Sequence, residues 1–196
     1  MTGTLLVATT NAGKLAEIRR ALAGAPVRLL SLADLPALPE PEEHGATFAE
    51  NARDKARYYA QATGLRTVAE DSGLEIDALD GAPGVLSARF PGDTYADKFA
   101  NLFARLDARG VRDSPARFVC ALAVADGDRI LFEAEGRVEG RITRQPRGAG
   151  GFGYDPIFFY PPYERTLAEV TAEEKAAVSH RGVAFGELRQ ALGFGL

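Results

Sequence analysis

The sequence predicts an α/β fold built on a long mixed β-sheet. Two observations carry this prediction. Strand-like and helix-like stretches alternate early in the chain, and a β-hairpin signal follows, in which Gly127-Asp128 separates two extended runs. The chain has 196 residues, of which 46% are hydrophobic, so it can bury a substantial core. We expect a single domain over residues 1–196, made of one or two closely joined lobes.

The first elements follow from apolar patterns and helix caps. Residues 5–7 are typical of a buried strand, and apolar side chains then recur at positions 15, 18 and 22, the spacing of one helix face. Residues 27–32 predict a second strand, which a Pro- and Glu-rich loop follows. The capping-box pattern Thr47-Phe48-Ala49-Glu50 predicts a helix that runs to Thr63 and stops at Gly64.

The later elements follow from the same signals. Residues 67–79 predict a strand, an acidic turn and another strand, and Thr94 then caps a helix that ends near residue 109. The hairpin strands cover residues 116–126 and 129–143, and a glycine-rich loop occupies residues 147–159. Thr171 caps a short helix that ends near residues 179–182, and the final helix covers about residues 183–192.

Composition excludes several classes of protein. A net charge of −4 argues against a broad nucleic-acid surface, although it permits a small cationic pocket for a free nucleotide. Cys120 is the one cysteine, so an internal disulfide and a C-x-x-C metal or redox site are excluded. No long apolar stretch and no N-terminal signal pattern is present, so we expect no membrane segment and a cytoplasmic location.

Lys14 stands where the first helix should begin. Asn11 is a good N-cap, which places Lys14 in the first turn, where the helix dipole disfavours a cation by about 0.3–1 kcal/mol. Two ways of offsetting this unfavourable interaction are open. Lys14 pairs with Glu17 or extends into water, or a phosphate occupies the helix start and is held by backbone N–H groups and Lys14. The loop is not a Walker A loop, because the second glycine and the Lys-Ser/Thr pair are absent.

Glu70 and Asp71 end an apolar strand, just ahead of the turn-forming Ser72-Gly73. Carboxylates at a strand end suit Mg²⁺, a hard cation that needs oxygen ligands, and the alternative is an acidic turn that Asp71 caps. Glu42 and Glu43 in the Pro-rich loop are further candidate ligands, with a solvated surface as the alternative.

Three other groups of residues carry possible chemistry. Asn51 and Lys55 are four apart and therefore project from one helix face, where Lys55 contacts either phosphates or neighbouring carboxylates and solvent. The glycine-rich loop holds Phe152, Tyr154 and Asp155, which could close over a planar base; a simple flexible turn is the alternative. Polar side chains also cluster at a helix end, where the dipole alone favours cations: Lys175, Ser179, His180 and Arg181.

Six ordered motifs occur between residues 7 and 182: T-x-N-x-x-K, T-F-x-E-N-A with a following lysine, A-E-D-S-G-L, G-A-P-G-V-x-S-A-R-F, G-F-G-Y-D-P-I-F and E-K-x-x-x-S-H-R-G. Together they resemble the inosine triphosphate pyrophosphatase family, also called Ham1-like non-canonical purine nucleoside triphosphate pyrophosphatases. The resemblance implies an elongated mixed β-sheet flanked by helices, with two lobes, a central cleft and assembly as a homodimer.

The resemblance also implies an activity. Members hydrolyse the triphosphates of inosine, deoxyinosine and xanthosine (ITP, dITP and XTP) to the monophosphate and pyrophosphate with Mg²⁺, which cleanses the nucleotide pool. The implied partner is therefore a free nucleotide rather than a nucleic-acid polymer or a membrane.

Residue roles come from the same resemblance. Asp71 matches the catalytic base and metal ligand, with Glu42 and Glu70 as further candidate ligands. The residues that match phosphate-binding positions are Thr9, Thr10, Asn11, Ala12, Gly13, Lys14, Asn51 and Lys55. Those that match the base-binding loop are Phe152, Gly153, Tyr154 and Asp155, and those that match the contacts to the purine six-position oxygen are Lys175, His180 and Arg181. Ser72 matches a further residue that contacts the substrate.

Two alternative functions remain open from the sequence. A Maf-like pyrophosphatase acts on modified nucleotides, but it should lack the S-H-R-G ending present here. A module that binds a triphosphate without hydrolysing it is the second alternative, which the carboxylates Glu70 and Asp71 disfavour. A Ser-His-Asp hydrolase is disfavoured because the chain has two histidines and no G-x-S-x-G.

Overall fold

The computed structural model describes residues 3–193 and 196. The described residues divide into two compact units, in agreement with the two lobes that the sequence predicts. The first unit comprises residues 3–71, Cys120–Gly136, 180–193 and 196, and the second comprises Ser72–Val119 and Arg137–Ser179. The assignment of residues 1–196 to one domain and the central cleft stay predictions.

Strands within the described residues form one mixed sheet in the order β2-β1-β3-β4-β5-β6-β7, which confirms the predicted fold class. Strand β1 pairs in parallel with β2 and β3, whereas β6 pairs in antiparallel fashion with β5 and β7. The strands are β1 Gly3–Val7, β2 Val27–Ser31, β3 Thr67–Ile76, β4 Pro115–Asp126, β5 Arg129–Ile142, β6 Phe158–Tyr160 and β7 Arg165–Thr166.

The helices begin at the predicted caps. Side chains of Thr47, Thr94 and Thr171 each accept a hydrogen bond from the backbone N–H three residues on, and the acidic residue at that position bonds back to the cap. Gly64 ends the second helix in the left-handed conformation, with φ of 67°. The helices are α1 Ala12–Ala21, α2 Phe48–Thr63, α3 Tyr95–Ala108, α4 Ala172–Val178 and α5 His180–Gly193.

The predicted acidic turn within residues 67–79 is wrong. Strand β3 continues without a break through Glu70 and Asp71, which are only 3% and 6% exposed. Both carboxylates have charged or amide partners inside the protein, so neither requires a solvated turn. Farther along β3, the backbone N–H of Leu74 donates to Ser87 Oγ at 2.8 Å.

The last helix also begins three residues earlier than predicted, at His180 rather than residue 183. Ser179 is extended, with φ of −72° and ψ of 153°, and it separates α4 from α5. Arg181 therefore lies in the first turn of α5 and not at the end of the preceding helix. The favourable C-terminal dipole expected for Arg181 is thus replaced by an unfavourable N-terminal one.

Each unit has its own apolar core. In the first unit, α1 packs against α5, and both helices contribute to a cluster with the strands: Leu5, Val7, Ile18, Leu22, Val68, Leu122, Phe185 and Leu188. In the second unit, the cluster joins strands, α3 and the glycine-rich loop: Leu74, Phe99, Leu102, Phe118, Ile142, Tyr154, Phe158 and Leu167. None of the helices within residues 3–193 combines the length and apolar character that a membrane span requires.

Gly136 on β5 and Gly186 on α5 provide a matched stability test in the first unit. A Cβ at Gly136 would collide with the carbonyl oxygen of His180 and lie 2.7 Å from the backbone nitrogen of Ala184. Gly136→Ala should therefore lower the free energy of unfolding by about 1–3 kcal/mol.

Gly186→Ala is the control, because a Cβ there would meet no atom within 4 Å. Alanine should raise the free energy of unfolding by up to about 1 kcal/mol through its better helix propensity. Urea denaturation of both variants checks these signs, and equal stability of the two would contradict the close approach of β5 to α5.

Candidate active site

The loop between β1 and α1 has the predicted cap. Asn11 Oδ1 accepts a hydrogen bond from the backbone N–H of Lys14 at 3.0 Å, and Thr9 Oγ1 accepts one from the N–H of Asn11 at 3.2 Å. Thr10 is exposed, and its hydroxyl donates to Glu40 at 2.7 Å. The exposed Ala12 and the partly exposed Gly13 form the first turn of the helix. This arrangement leaves the start of α1 accessible to an anion.

Lys14 pairs with Glu70 rather than Glu17. Its Nζ lies 2.8 Å from Glu70 Oε1, and its side chain keeps 20% of its surface exposed whereas that of Glu70 keeps 1%. The ammonium group therefore has one anchored side and one accessible side. The sequence suggested Glu17, water or a phosphate as the compensation for this cation, and the structure shows Glu70 instead of Glu17. A phosphate at the start of α1 stays a prediction.

Arg181 brings the start of α5 to the same carboxylate. One guanidinium nitrogen lies 3.3 Å from Glu70 Oε1 and another 2.6 Å from Glu17 Oε2. Burial would raise the pKa of Glu70, but Arg181, Lys14 and Lys55 together hold it well below its usual value. Glu70 is therefore ionised, although it is almost fully buried.

Asp71 lies in a different environment from its neighbour. Asn51 Nδ2 donates to Asp71 Oδ2 at 2.9 Å, and Lys55 Nζ lies 3.9 Å from Asp71 Oδ1. Burial raises the pKa of Asp71 above its ordinary value, and Lys55 and Asn51 offset this only in part. A carboxylate with a raised pKa beside a lysine is suited to accept a proton or to bind a cation.

Glu43, and not Glu42, lies beside this pair. Lys55 Nζ is 2.6 Å from Glu43 Oε1, so Glu43 and Asp71 share the same ammonium group. The side chain of Glu42 is 84% exposed and lies 2.9 Å from His44 Nε2. The structure thus brings Lys55 and Asp71 together, but it does not show Glu42 with them. Within residues 3–193 and 196, no group of three or more His, Cys, Asp or Glu side chains is placed to hold a metal ion.

The second unit holds the predicted base-binding residues. Asp155 is buried, forms an ion pair with Lys175 and accepts a hydrogen bond from the N–H of Phe152 at 2.8 Å. Lys175 Nζ also lies 4.9 Å from the centre of the Phe152 ring, which is a cation–π contact. Gly151 has φ of 65°, and a Cβ there would collide with the Asp155 carboxylate. Asp155 therefore fixes the conformation of the loop that presents Phe152.

The remaining predicted residues have varied positions. Tyr154 is buried next to Gly153, and its hydroxyl donates to the carbonyl of Ser87 at 2.9 Å, so it supports the loop from inside. Burial raises the pKa of the Tyr154 hydroxyl. Ser72 is partly exposed on β3, while Ser179 and His180 are buried at the junction of α4 and α5.

The sequence suggests Glu17 as a partner of Lys14 and not of Arg181, and the family resemblance indicates Glu42 rather than Glu43 as a further metal ligand. Nothing in the local pattern distinguishes two adjacent glutamates in a loop. The structure distinguishes them because the N–H of Gly45 donates to Asn51 Oδ1 at 2.8 Å, which fixes the end of the loop on α2. A cation in the first turn of a helix was the signal for a buried anion, but the sequence gives no way to identify Glu70 as that anion.

Comparisons with known proteins show the family of the chain. A family model described as the Ham1 family matches residues 5–191. A curated dITP/XTP pyrophosphatase from Geobacter sulfurreducens is 47% identical, and the match covers 97% of this chain and 96% of that protein. Another from Thermus thermophilus is 48% identical, and the match covers 95% of this chain and 90% of that protein. A solved structure of a HAM1 protein from Coxiella burnetii is 40% identical, with a TM-score of 0.90 over 99% of this chain and 100% of that chain.

Asn51 provides a test of the site's internal support. Asn51→Ala removes the buried donor to Asp71 and the acceptor of the Gly45 N–H, so the free energy of unfolding should fall by about 1–3 kcal/mol. Asn101→Ala is the control, because Asn101 is exposed and the hydrogen bond that its side-chain amide donates to the carbonyl of Pro91 lies at the surface. Asn101→Ala should lower the free energy of unfolding by about 0.5 kcal/mol or less, as measured by chemical denaturation. An equal decrease in both variants would contradict the role given to Asn51.

Proposed function

We propose, because the chain belongs to the Ham1 family, that it hydrolyses the non-canonical purine nucleoside triphosphates ITP, dITP and XTP to the monophosphate and pyrophosphate. The observation that supports this best is the arrangement of the first unit. Lys14 stands at a helix start, and the buried Asp71 lies beside Lys55. The side chains of Lys14 and Lys55 keep 20% and 15% of their surface exposed, so both cations are partly accessible to a polyphosphate, and the neighbouring carboxylate suits the activation of water.

Binding of the polyphosphate would use the start of α1. The backbone N–H groups of the first turn and the ammonium groups of Lys14 and Lys55 would receive the negative charge. During hydrolysis, negative charge moves onto the leaving pyrophosphate, and fixed cations stabilise that charge without reorganising. No covalent intermediate with the protein is required.

Asp71 would orient the attacking water and accept its proton. The raised pKa brings this carboxylate closer to the pH at which a general base is effective, while Lys55 and Asn51 keep its orientation fixed. Serine and cysteine nucleophiles have no part in the proposal, since Cys120 is fully buried and burial raises the pKa of its thiol.

Mg²⁺ dependence belongs to the proposal, and the donor set fits it. Asp71 and Glu43 supply hard carboxylate oxygens around one ammonium group. Protein sites for Mg²⁺ commonly use one or two carboxylates together with substrate phosphates, so a third protein ligand is not needed. When bound, the ion would neutralise the triphosphate and polarise the phosphorus that is attacked. Glu43 is a better placed second ligand than the exposed Glu42.

The glycine-rich loop would recognise the base. Phe152 offers a ring for stacking, and the buried Lys175–Asp155 pair places a donor and an acceptor at that ring. A donor matches the six-position oxygen of inosine and xanthosine, whereas adenine presents an amino group there. A homodimer is also part of the proposal and rests on the family resemblance, and a cytoplasmic location is part of it as the expectation drawn from the sequence.

The products test the reaction type. With Mg²⁺ and ITP, dITP or XTP, we expect equal amounts of nucleoside monophosphate and pyrophosphate, and much slower turnover of ATP. Ion-exchange chromatography of the products measures both. Stepwise release of orthophosphate, or full activity in excess chelator, would contradict the proposal.

Asp71→Asn tests the general base. The amide keeps the size of the side chain but cannot accept the proton, so kcat for ITP should fall by about a hundredfold or more while nucleotide binding is retained. Asp54→Asn is the control on helix α2, because its side chain is 70% exposed. Steady-state kinetics of both variants measure this difference. Wild-type turnover in Asp71→Asn would show that Asp71 is not the general base.

A further inference from the structure

We propose that Glu70 is a positioning residue that fixes the Lys14 ammonium for phosphate binding, an inference that rests on the proposed function of Lys14. Glu70 Oε1 lies 2.8 Å from Lys14 Nζ, and the carboxylate is buried on the inner side of a lysine that is still partly accessible. A flexible lysine tethered on one side can present its charge in one direction only. Because the Lys14 side chain is already held in place, less side-chain entropy is lost when a phosphate binds.

The position of Glu70 between two helix starts supports this role. Lys14 lies in the first turn of α1 and Arg181 in the first turn of α5, where each cation is opposed by the helix dipole. The same atom, Glu70 Oε1, accepts from both, at 2.8 and 3.3 Å. One ionised carboxylate thus holds two cations that would otherwise repel each other and be pushed away from the helix starts.

The surroundings of Glu70 distinguish it from a metal ligand. Its carboxylate receives donors from three side chains, which are Lys14, Arg181 and the thiol of Cys120 at 3.5 Å from Oε2. The side chain of Glu70 is 1% exposed, against 8% for Asp71 and 23% for Glu43, so the latter two are more accessible to a cation. In this proposal Asp71 and Glu43 are the residues that face a cation, and Glu70 acts on the substrate only through Lys14.

The charge of Glu70 makes the two possible roles separable. If Glu70 only added negative charge to the site, Glu70→Gln would strengthen binding of an anion, because a repulsive charge is lost. If Glu70 positions Lys14, the same substitution weakens anion binding, because the Lys14 ammonium loses its anchor and is no longer held at the start of α1. The sign of the change therefore identifies the role.

Titration calorimetry with inorganic pyrophosphate in Mg²⁺ buffer is the experiment, on full-length wild type, Glu70→Gln, Glu17→Gln, Lys14→Ala and the Lys14→Ala/Glu70→Gln double variant. We expect Glu70→Gln to raise the dissociation constant by about ten- to a hundredfold. In the Lys14→Ala background the same substitution should change it by about twofold or less, because the effect passes through Lys14.

Glu17→Gln is the matched control. It removes a carboxylate from the same arginine, 2.6 Å from Arg181, but it leaves the acceptor of Lys14 in place. Its dissociation constant for pyrophosphate should stay within about twofold of wild type.

Three results would overturn the proposal: tighter or unchanged pyrophosphate binding in Glu70→Gln, an equal loss in Glu17→Gln, or an undiminished effect of Glu70→Gln in the Lys14→Ala background. If Glu70→Gln does not fold, as judged by circular dichroism, Glu70→Asp replaces it. Aspartate keeps the charge but has a shorter reach, so it should still weaken binding, and wild-type affinity would overturn the proposal. Wild-type protein that binds pyrophosphate but hydrolyses no triphosphate would refute only the proposed function.

Discussion

The buried, ionised carboxylate of Glu70 is the interaction on which the first unit depends. A cation in the first turn of a helix is unfavourable, yet both α1 and α5 have one there, Lys14 and Arg181. Glu70 makes this arrangement stable because it bonds to both cations, and Glu17 adds a second anion at Arg181. Removing Glu70 would take a buried carboxylate partner from both cations, which costs more than the loss of one surface ion pair.

The two adjacent carboxylates on β3 have different tasks because of the geometry of a strand. Successive side chains point to opposite faces, so Glu70 and Asp71 enter different surroundings. The pKa of Glu70 lies well below its usual value because two cations contact it, whereas burial raises the pKa of Asp71. Pairs of titratable groups whose pKa values are driven apart are typical of catalytic sites. The continuous strand β3 therefore places Glu70 beside Lys14 and Arg181, and Asp71 beside Lys55 and Asn51.

Local signals in the sequence were sufficient for most elements, and distant contacts explain the exceptions. The caps at Asn11, Thr47, Thr94 and Thr171 were predictable because a capping bond spans only a few residues. The continuity of β3 and the early start of α5 were not, because each depends on charged partners far away in the chain. The assignment of Lys14 to Glu70 depends on tertiary packing in the same way. The resemblance to a family placed the phosphate and base residues, but it could not show which carboxylate supports which cation.

In the proposed function, the start of α1, with Lys14 held by Glu70, receives the phosphates. Nuclear magnetic resonance of ¹⁵N-labelled protein tests it most directly, by following the Lys14 side-chain ammonium and the backbone amides of residues 12–14 while pyrophosphate or inosine is added separately. Pyrophosphate should shift these resonances, and inosine should leave them in place. Resonances that respond to inosine, or that ignore pyrophosphate at saturation, would contradict it.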